Sequence, residues 1–189
     1  MFMRLGVRNV TMDDLVRAMG ISKKTMYQAI SSKDELVEAV VYRFIEGERA
    51  QSLAITAASA NAIEEILQVT ELVVQSMHQM KTSIVHELQR YYRTAWRHVE
   101  AYQREHVLGQ TRRNLERGIA EGLYRSDMDV ELIARLHTAA SFSLFDERWF
   151  PSHEFPPGKV FREFLLHDLR AMVSDKGRAL LQQKLSDTL

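Results

Sequence analysis

Apolar positions recur along this chain at intervals of three and four rather than two, a pattern that predicts helices nearly throughout. Met1, Phe2, Met3, Arg4 and Leu5 read as the last turn of a helix stopped by Gly6. Positions 10–36 predict two short helices and the start of a third. Thr11 is a good N-cap, and Asp14 can reach back as the acid of a capping box does. Leu15, Met19 and Ile21 supply an apolar stripe around Gly20, which can take the left-handed conformation that ends a helix. Ser22 is a second N-cap. The short helix after it turns Met26 and Ile30 inward and leaves Lys23, Lys24, Thr25, Tyr27 and Gln28 outside. This is a helix-turn-helix pattern whose second helix carries hydrogen-bond donors where groove-reading side chains belong.

The next helix is predicted from Lys33 toward Leu53. Ser31 and Ser32 open it, Asp34 and Glu35 occupy its first turn, and Leu36, Val37, Val40, Val41, Phe44 and Ile45 form its buried stripe. Gly47 is a soft point within it. Positions 61–78 predict an amphipathic helix through Ile63, Ile66, Leu67, Val74 and Met77. A break is expected near 81–83, then a long helix over 96–123 ending at Gly118 or Gly122. Positions 130–150 predict a helix with two apolar faces. Val130, Ile133, Ala134, His137, Ser141 and Leu144 make one face; Leu132, Leu136, Ala139, Ala140 and Ser143 make the other. Such a helix needs a partner inside its own subunit and another beyond it. A loop at 151–158, a helix at 160–173 carrying Phe161, Phe164, Leu165, Leu169 and Met172, and a polar helix from Ser174 onward complete the pattern.

Composition agrees with an all-α chain of 189 residues, with three prolines and abundant helix formers. Cysteine is absent, so disulfide and thiol chemistry are excluded. No apolar run is long enough to span a bilayer, and the N-terminus is too short and polar for a secretory signal, so no membrane partner and a cytoplasmic location are expected. Formal net charge is zero. Within the first fifty positions, Arg4, Arg8, Arg17, Lys23, Lys24, Lys33, Arg43 and Arg49 face Asp13, Asp14, Asp34, Glu35, Glu38, Glu46 and Glu48. Any affinity for DNA must therefore come from local placement of charge rather than bulk attraction.

These residues carry a resemblance. The spacing Phe2-x-x-x-Gly6, then 10–15 (VTMDDL), 20–27 (GISKKTMY) and Ser32-Lys33-x-x-Leu36 is similar to the TetR family of transcriptional regulators, over the first fifth of the chain. A weaker echo, GIAEGLYRSD at 118–127, is similar to the join that precedes the dimerisation helices of that family. The resemblance implies a three-helix helix-turn-helix DNA-binding domain over 1–46, its first helix truncated here, and a C-terminal helical ligand-binding and dimerisation domain over 47–189. It also implies a homodimer on a double-stranded DNA operator, released by a small apolar or amphipathic effector. Carried over by position, Thr11, Tyr27 and Lys33 match phosphate contacts, while Ser22, Lys23, Lys24, Thr25 and Gln28 lie on or at the start of the recognition helix. The chain departs from the family at Ala29-Ile30, where an aromatic pair is more usual.

Each candidate has a plainer alternative. Lys23 and Lys24 alone read as solvated helix lysines; within this motif, at a helix N-terminus, DNA contact is favoured. Gln28 can read adenine, and plain exposure fits it as well. Lys33 sits where the helix dipole disfavours a cation, which suits a phosphate contact. A pocket is expected among Met77, Met80, Ile84, His86, Tyr91, Tyr92, Trp96, Tyr102, Phe142 and Phe145, because Met with aromatics suits an adaptable apolar cavity; the same residues suit an ordinary core. Leu132, Leu136, Ala139, Ala140, Ser143, Phe164 and Leu165 are the expected dimer interface. His78, His86, His98, His106, His137, His153 and His167 show no paired metal-ligand spacing, so no metal or cofactor is expected, and packing or capping roles are favoured. No nucleophile elbow, phosphate-cradling Gly loop or paired-carboxylate signature points to catalysis.

The expected function is therefore a sequence-specific DNA-binding regulator, a repressor released by an effector. The alternative is a helical small-molecule binding protein without DNA regulation, suggested by the short first helix and neutral charge. A native chain reaching upstream of Met1 would be expected to add an amphipathic stretch of about ten residues, the length that completes a three-turn helix. A start at Met1 would leave Leu15, Met19 and Met26 partly exposed.

Overall fold

The computed structural model describes residues 1–81 and 83–186. Capping explains where its helices begin. α1 (Phe2–Leu5) is one turn, closed by Gly6. α2 (Met12–Met19) starts at a complete capping box: the Thr11 hydroxyl accepts from the Asp14 N–H at 3.1 Å, and the Asp14 carboxylate accepts from the Thr11 N–H at 2.9 Å. α3 (Lys23–Ala29), α4 (Lys33–Ala58) and α5 (Ala62–Gln79) start at Ser22, Ser32 and Asn61, each accepting from the backbone N–H three residues on. Such a cap stabilises a helix by about 1 kcal/mol. Gly20 ends α2 at φ 65°, a left-handed conformation that costs glycine nothing and most residues a steric clash.

α6 (Ile84–Tyr91) follows the expected break, and α7 (Arg93–Ala101) runs through a π-helical turn (Tyr102–Val107) into α8 (Leu108–Ala120). α9 (Val130–Ser143) is shorter than its predicted span to 150. It stops because Asp146 accepts from the Arg148 N–H at 3.0 Å and binds the Arg148 guanidinium, folding 144–156 into turns. α10 (Pro157–Met172) and α11 (Asp175–Ser186) close the chain. The only bridge outside the helices, among the described residues, joins Tyr124 to Val173. No helix among them is long and apolar enough to cross a membrane.

Two larger cores and a small third one, of Val74, Met77 and Phe161, are formed by the described residues. The first gathers Phe2, Val7, Val10, Leu15, Met26, Val37 and Val41 from the N-terminal segment with Ile84, Leu88 and Ala95 from α6 and α7. Met26 therefore plugs the recognition helix. Ile30, the other residue expected to turn inward, is half-buried, Ala29 beside it is exposed, and Met19 is 63% exposed at the last turn of α2. The second core joins Ile63, Leu115, Leu123, Tyr124, Ala134 and Leu169. There the Arg117 guanidinium bonds Glu65, Glu121 and the Ser59 carbonyl, while Glu121 accepts from the Ala62 N–H at 2.8 Å, so one cation fastens the α4–α5 turn to α8.

Tyr124 lies flat on Gly118, where an added Cβ would fall 2.1 Å from the ring. Its hydroxyl reaches Asn114 at 3.0 Å and the Ala62 carbonyl at 3.3 Å. Gly118→Ala is expected to drive the ring out of that position and lower stability by about 2–4 kcal/mol, through overpacking and lost buried hydrogen bonds. The shift would be read as a fall in melting temperature of roughly 5–10 °C by circular dichroism. An unchanged melting temperature would show that Tyr124 can be accommodated elsewhere.

Candidate nucleic-acid interface and ligand cavity

α3 presents its outer side to solvent. Lys23, Lys24, Thr25, Gln28 and Tyr27 (51% exposed) stand together there. Several of the side chains also serve the fold. Thr11 donates its hydroxyl to Asp14 at 2.6 Å, and Ser22 caps Thr25. Lys23 pairs with Asp13 at 2.8 Å, bracing the start of α3 against α2. That pairing raises the Lys23 ammonium above its ordinary range, first through the hydrogen bond and then through the charge of Asp13. Lys24 makes no ion pair among the described residues. Lys33 is half-buried, with its Nζ 6.0 Å from the centre of the Phe2 ring. The surface can thus offer one free ammonium, a phenol and an amide side by side at the start of a helix, the chemistry that phosphate and base edges require.

Beneath this unit lies a cavity of about 250 Å³ between α4, α5, α6, the α7–α8 run, α9 and α10. Met77, Met80, Ile84, Trp96, Tyr102, Phe142 and Phe145 line it as the sequence suggested. His86, Tyr91 and Tyr92 do not. His86 and Tyr91 point to solvent from the far side of α6, and Tyr92 packs on the N-terminal core. Leu165, expected in a dimer interface, is 2% exposed and lines the cavity, because α10 lies along α5. Phe164 is half-buried, 5.5 Å from the His137 ring.

Sequence reasoning missed most of the polar wall: Glu48, Ser52, Glu65, Thr70, Ser76, Gln110 and Asn114. These residues sit on the inner sides of α4, α5 and α8 among apolar neighbours, and no linear spacing marks them. The π-helical turn brings Tyr102 and Gln103 onto the wall and sets His106 2.8 Å from the Ser52 hydroxyl. Burial, with help from Arg49 and Arg113, holds the His106 imidazole below its ordinary value. His137 bonds Asp168, and His98 bonds Glu38 at 2.8 Å. No group of three or more His, Asp or Glu among the described residues is arranged to hold a metal ion.

Cavity and N-terminal unit share a wall. α4 runs unbroken through 46–47, and Met3, Val41, Phe44 and Ile45 line the cavity from the N-terminal side of the boundary expected there. On the opposite side, α9 buries Ala134, His137 and Ser141 and leaves Leu132 and Leu136 exposed, with Ala139 and Ser143 beside them.

Residues 1–40 match a family model described as bacterial regulatory proteins, tetR family. The chain is 28% identical over 159 residues to the uncharacterized HTH-type transcriptional regulator YvaF of Bacillus subtilis (strain 168), covering 82% of this chain and 81% of that protein. It is 25% identical to the HTH-type transcriptional repressor KstR2 of Rhodococcus jostii (strain RHA1), over 84% of this chain and 76% of the relative. The structure of ketosteroid transcriptional regulator KstR2 of Mycobacterium tuberculosis has the same fold, with a TM-score of 0.60 at 22% identity, covering 90% of this chain and 88% of the other. The relatives are regulators rather than enzymes, and none supports the alternative of a binding protein without DNA regulation. Residues 1–40 thus match the DNA-binding segment of the TetR family, and most of the chain is similar to HTH-type transcriptional regulators and shares their fold.

Proposed function

We propose that this DNA-binding regulator is a cytoplasmic homodimeric repressor whose grip on its operator is loosened when a small molecule enters the cavity. α6 carries this reading. One side of it lines the cavity through Ile84, Val85 and Leu88, and the same short helix closes the N-terminal core and bonds the chain at Arg8. A ligand that displaces α6 must therefore move the base of the reading unit, and the two functions become linked. Thr11, Ser22, Lys23, Lys24, Thr25, Tyr27, Gln28 and Lys33 form the DNA surface in this reading. Lys24, Tyr27 and Gln28 reach outward, while Thr11, Ser22, Lys23 and Lys33 hold the unit in shape at least as much as they touch DNA.

The exposed face of α9, with Leu132, Leu136, Ala139, Ala140 and Ser143, is the expected dimer contact, and Leu165 is not part of it. Two copies place two recognition helices on one duplex, which multiplies weak half-site affinities. A mobility-shift titration of DNA from upstream of the gene, run over a series of salt concentrations, tests the whole reading. Binding should be specific and fall steeply with salt. The double variant Leu132→Glu with Leu136→Glu should sediment as a monomer and bind at least about tenfold more weakly. A variant that stays dimeric with full affinity would rule out this face as the dimer contact.

A further inference from the structure

We propose that the effector is an apolar amine, its protonated head lodged against Glu48 and its body among the aromatic side chains of the cavity. The proposal rests on the reading of this cavity as the effector site. Among the described residues, three ionisable groups other than phenols line the space: Glu48, Glu65 and His137. Among the described residues no lysine or arginine lines it. Glu65 is already balanced by Arg117 at 3.0 Å and by the Thr56 hydroxyl at 3.0 Å, and His137 is bonded to Asp168.

Glu48 differs from both. Its carboxylate accepts one hydrogen bond, from the Ser76 hydroxyl at 2.8 Å, and makes no ion pair among the described residues. The adjacent Arg49 faces Glu46 instead, at 3.6 Å. Burial pushes the Glu48 carboxyl upward, and the bond from Ser76 offsets only part of that push. An unpaired carboxylate in such surroundings is attracted to a cation more strongly than one in water.

The ligand classes separate on this basis. An anion would meet Glu48, and no lysine or arginine among the described residues lines the cavity to receive it. A neutral apolar molecule would leave the Glu48 carboxylate with only the Ser76 hydroxyl in a drier site. A protonated amine neutralises Glu48 and donates hydrogen bonds to it and to Ser76. Phe44, Trp96, Tyr102 and Phe145 offer ring faces that also attract a cation. Tyr102 stands close to the same carboxylate. Its hydroxyl is pushed up to about 12, by burial first and by the charge of Glu48 next. At about 30 Å³ for each water-sized group, the cavity of about 250 Å³ holds roughly eight such groups, the scale of a small phenylalkylamine.

The test uses three probes with one body and three heads: 3-phenylpropylamine, 3-phenylpropanol and 3-phenylpropionate, titrated into the full chain by calorimetry. The amine should bind at least about tenfold tighter than the alcohol, with the propionate weakest. Glu48→Gln should erase that advantage and leave the alcohol unchanged. A second variant, Val73→Trp, fills the cavity and should abolish binding of all three probes, with folding of both variants checked by melting temperature. If the alcohol or propionate binds as well as the amine, or the preference survives Glu48→Gln, the amine assignment fails while the cavity remains an effector site. If none of the probes binds, both readings fall.

Discussion

Operator affinity is expected to fall by about a thousandfold when Lys24 and Tyr27 are both replaced by alanine. Each side chain stands free on the outer face of α3, and a dimer presents both twice. Four contacts worth about 1 kcal/mol each amount to roughly three orders of magnitude in affinity. Because Lys24 neutralises phosphate, the dependence of log affinity on log salt should also become shallower by about two, one phosphate per protomer. The oligomer and the melting temperature should not change, since neither side chain packs into the N-terminal core. Lys23→Ala is expected to do less to DNA and more to stability, as Lys23 is held by Asp13. Full operator affinity in the double variant would remove α3 as the recognition helix.

Glu87→Ala is expected to loosen the N-terminal unit from the rest of the chain. Glu87 sits on α6, 8% exposed, and accepts from the Arg8 N–H at 2.9 Å and the Ser83 hydroxyl at 2.8 Å. An alanine leaves the Arg8 N–H without its acceptor, a loss of about 2–4 kcal/mol for a buried charge-assisted bond. Neighbouring bonds soften the blow: the Lys81 N–H donates to the Met3 carbonyl at 2.7 Å, and the Arg8 guanidinium lies 4.7 Å from the centre of the Tyr91 ring. The variant should therefore fold, melt earlier and answer an effector poorly, because the clasp between cavity wall and reading unit is gone.

Acidification gives the same residue a second signature. Burial by itself would raise the Glu87 carboxyl. Hydrogen bonds from Arg8, Ser83 and Val7 and the charge of Lys81 together outweigh it and hold the group below its ordinary 4.5. A carboxylate held low contributes stability that is present above the unfolded value and is lost as pH falls through the folded one. The wild-type chain should lose stability below about pH 4.5 more steeply than Glu87→Ala, measured as melting temperature against pH. Parallel curves for the two proteins would mean that Glu87 makes no net bond to the N-terminal segment.

How much of this was legible beforehand depends on how far apart the partners lie in the chain. Thr11 with Asp14, Ser22 with Thr25 and Ser32 with Glu35 are three apart, so their caps could be read directly. The two-faced helix was equally readable: Ala134, His137 and Ser141 are buried while Leu132 and Leu136 stay out. Of Leu15, Met19 and Met26, expected to be partly exposed beside a short first helix, only Met19 is; Leu15 and Met26 are buried, because periodicity tells which residues share a face and not whether another element covers it. His86, Tyr91 and Tyr92 were placed in the cavity by residue type alone, yet the rotation of α6 turns them away from it.

The sequence by itself determined the helices, their caps and the helix-turn-helix, since these depend on neighbours within a turn or two. It carried the resemblance to TetR-family regulators as well, through the spacing of positions 10–36, and a family model matches residues 1–40. Only the tertiary structure decided that Glu87 reaches Arg8 across 79 residues, that Glu48 stands on a cavity wall lined by no lysine or arginine among the described residues, and that α4 and α6 serve both the cavity wall and the N-terminal core. Those arrangements arise from how helices pack across the whole chain. Burial and charge pairing of a side chain depend on what covers it, and that is set by contacts with no periodic trace in the sequence.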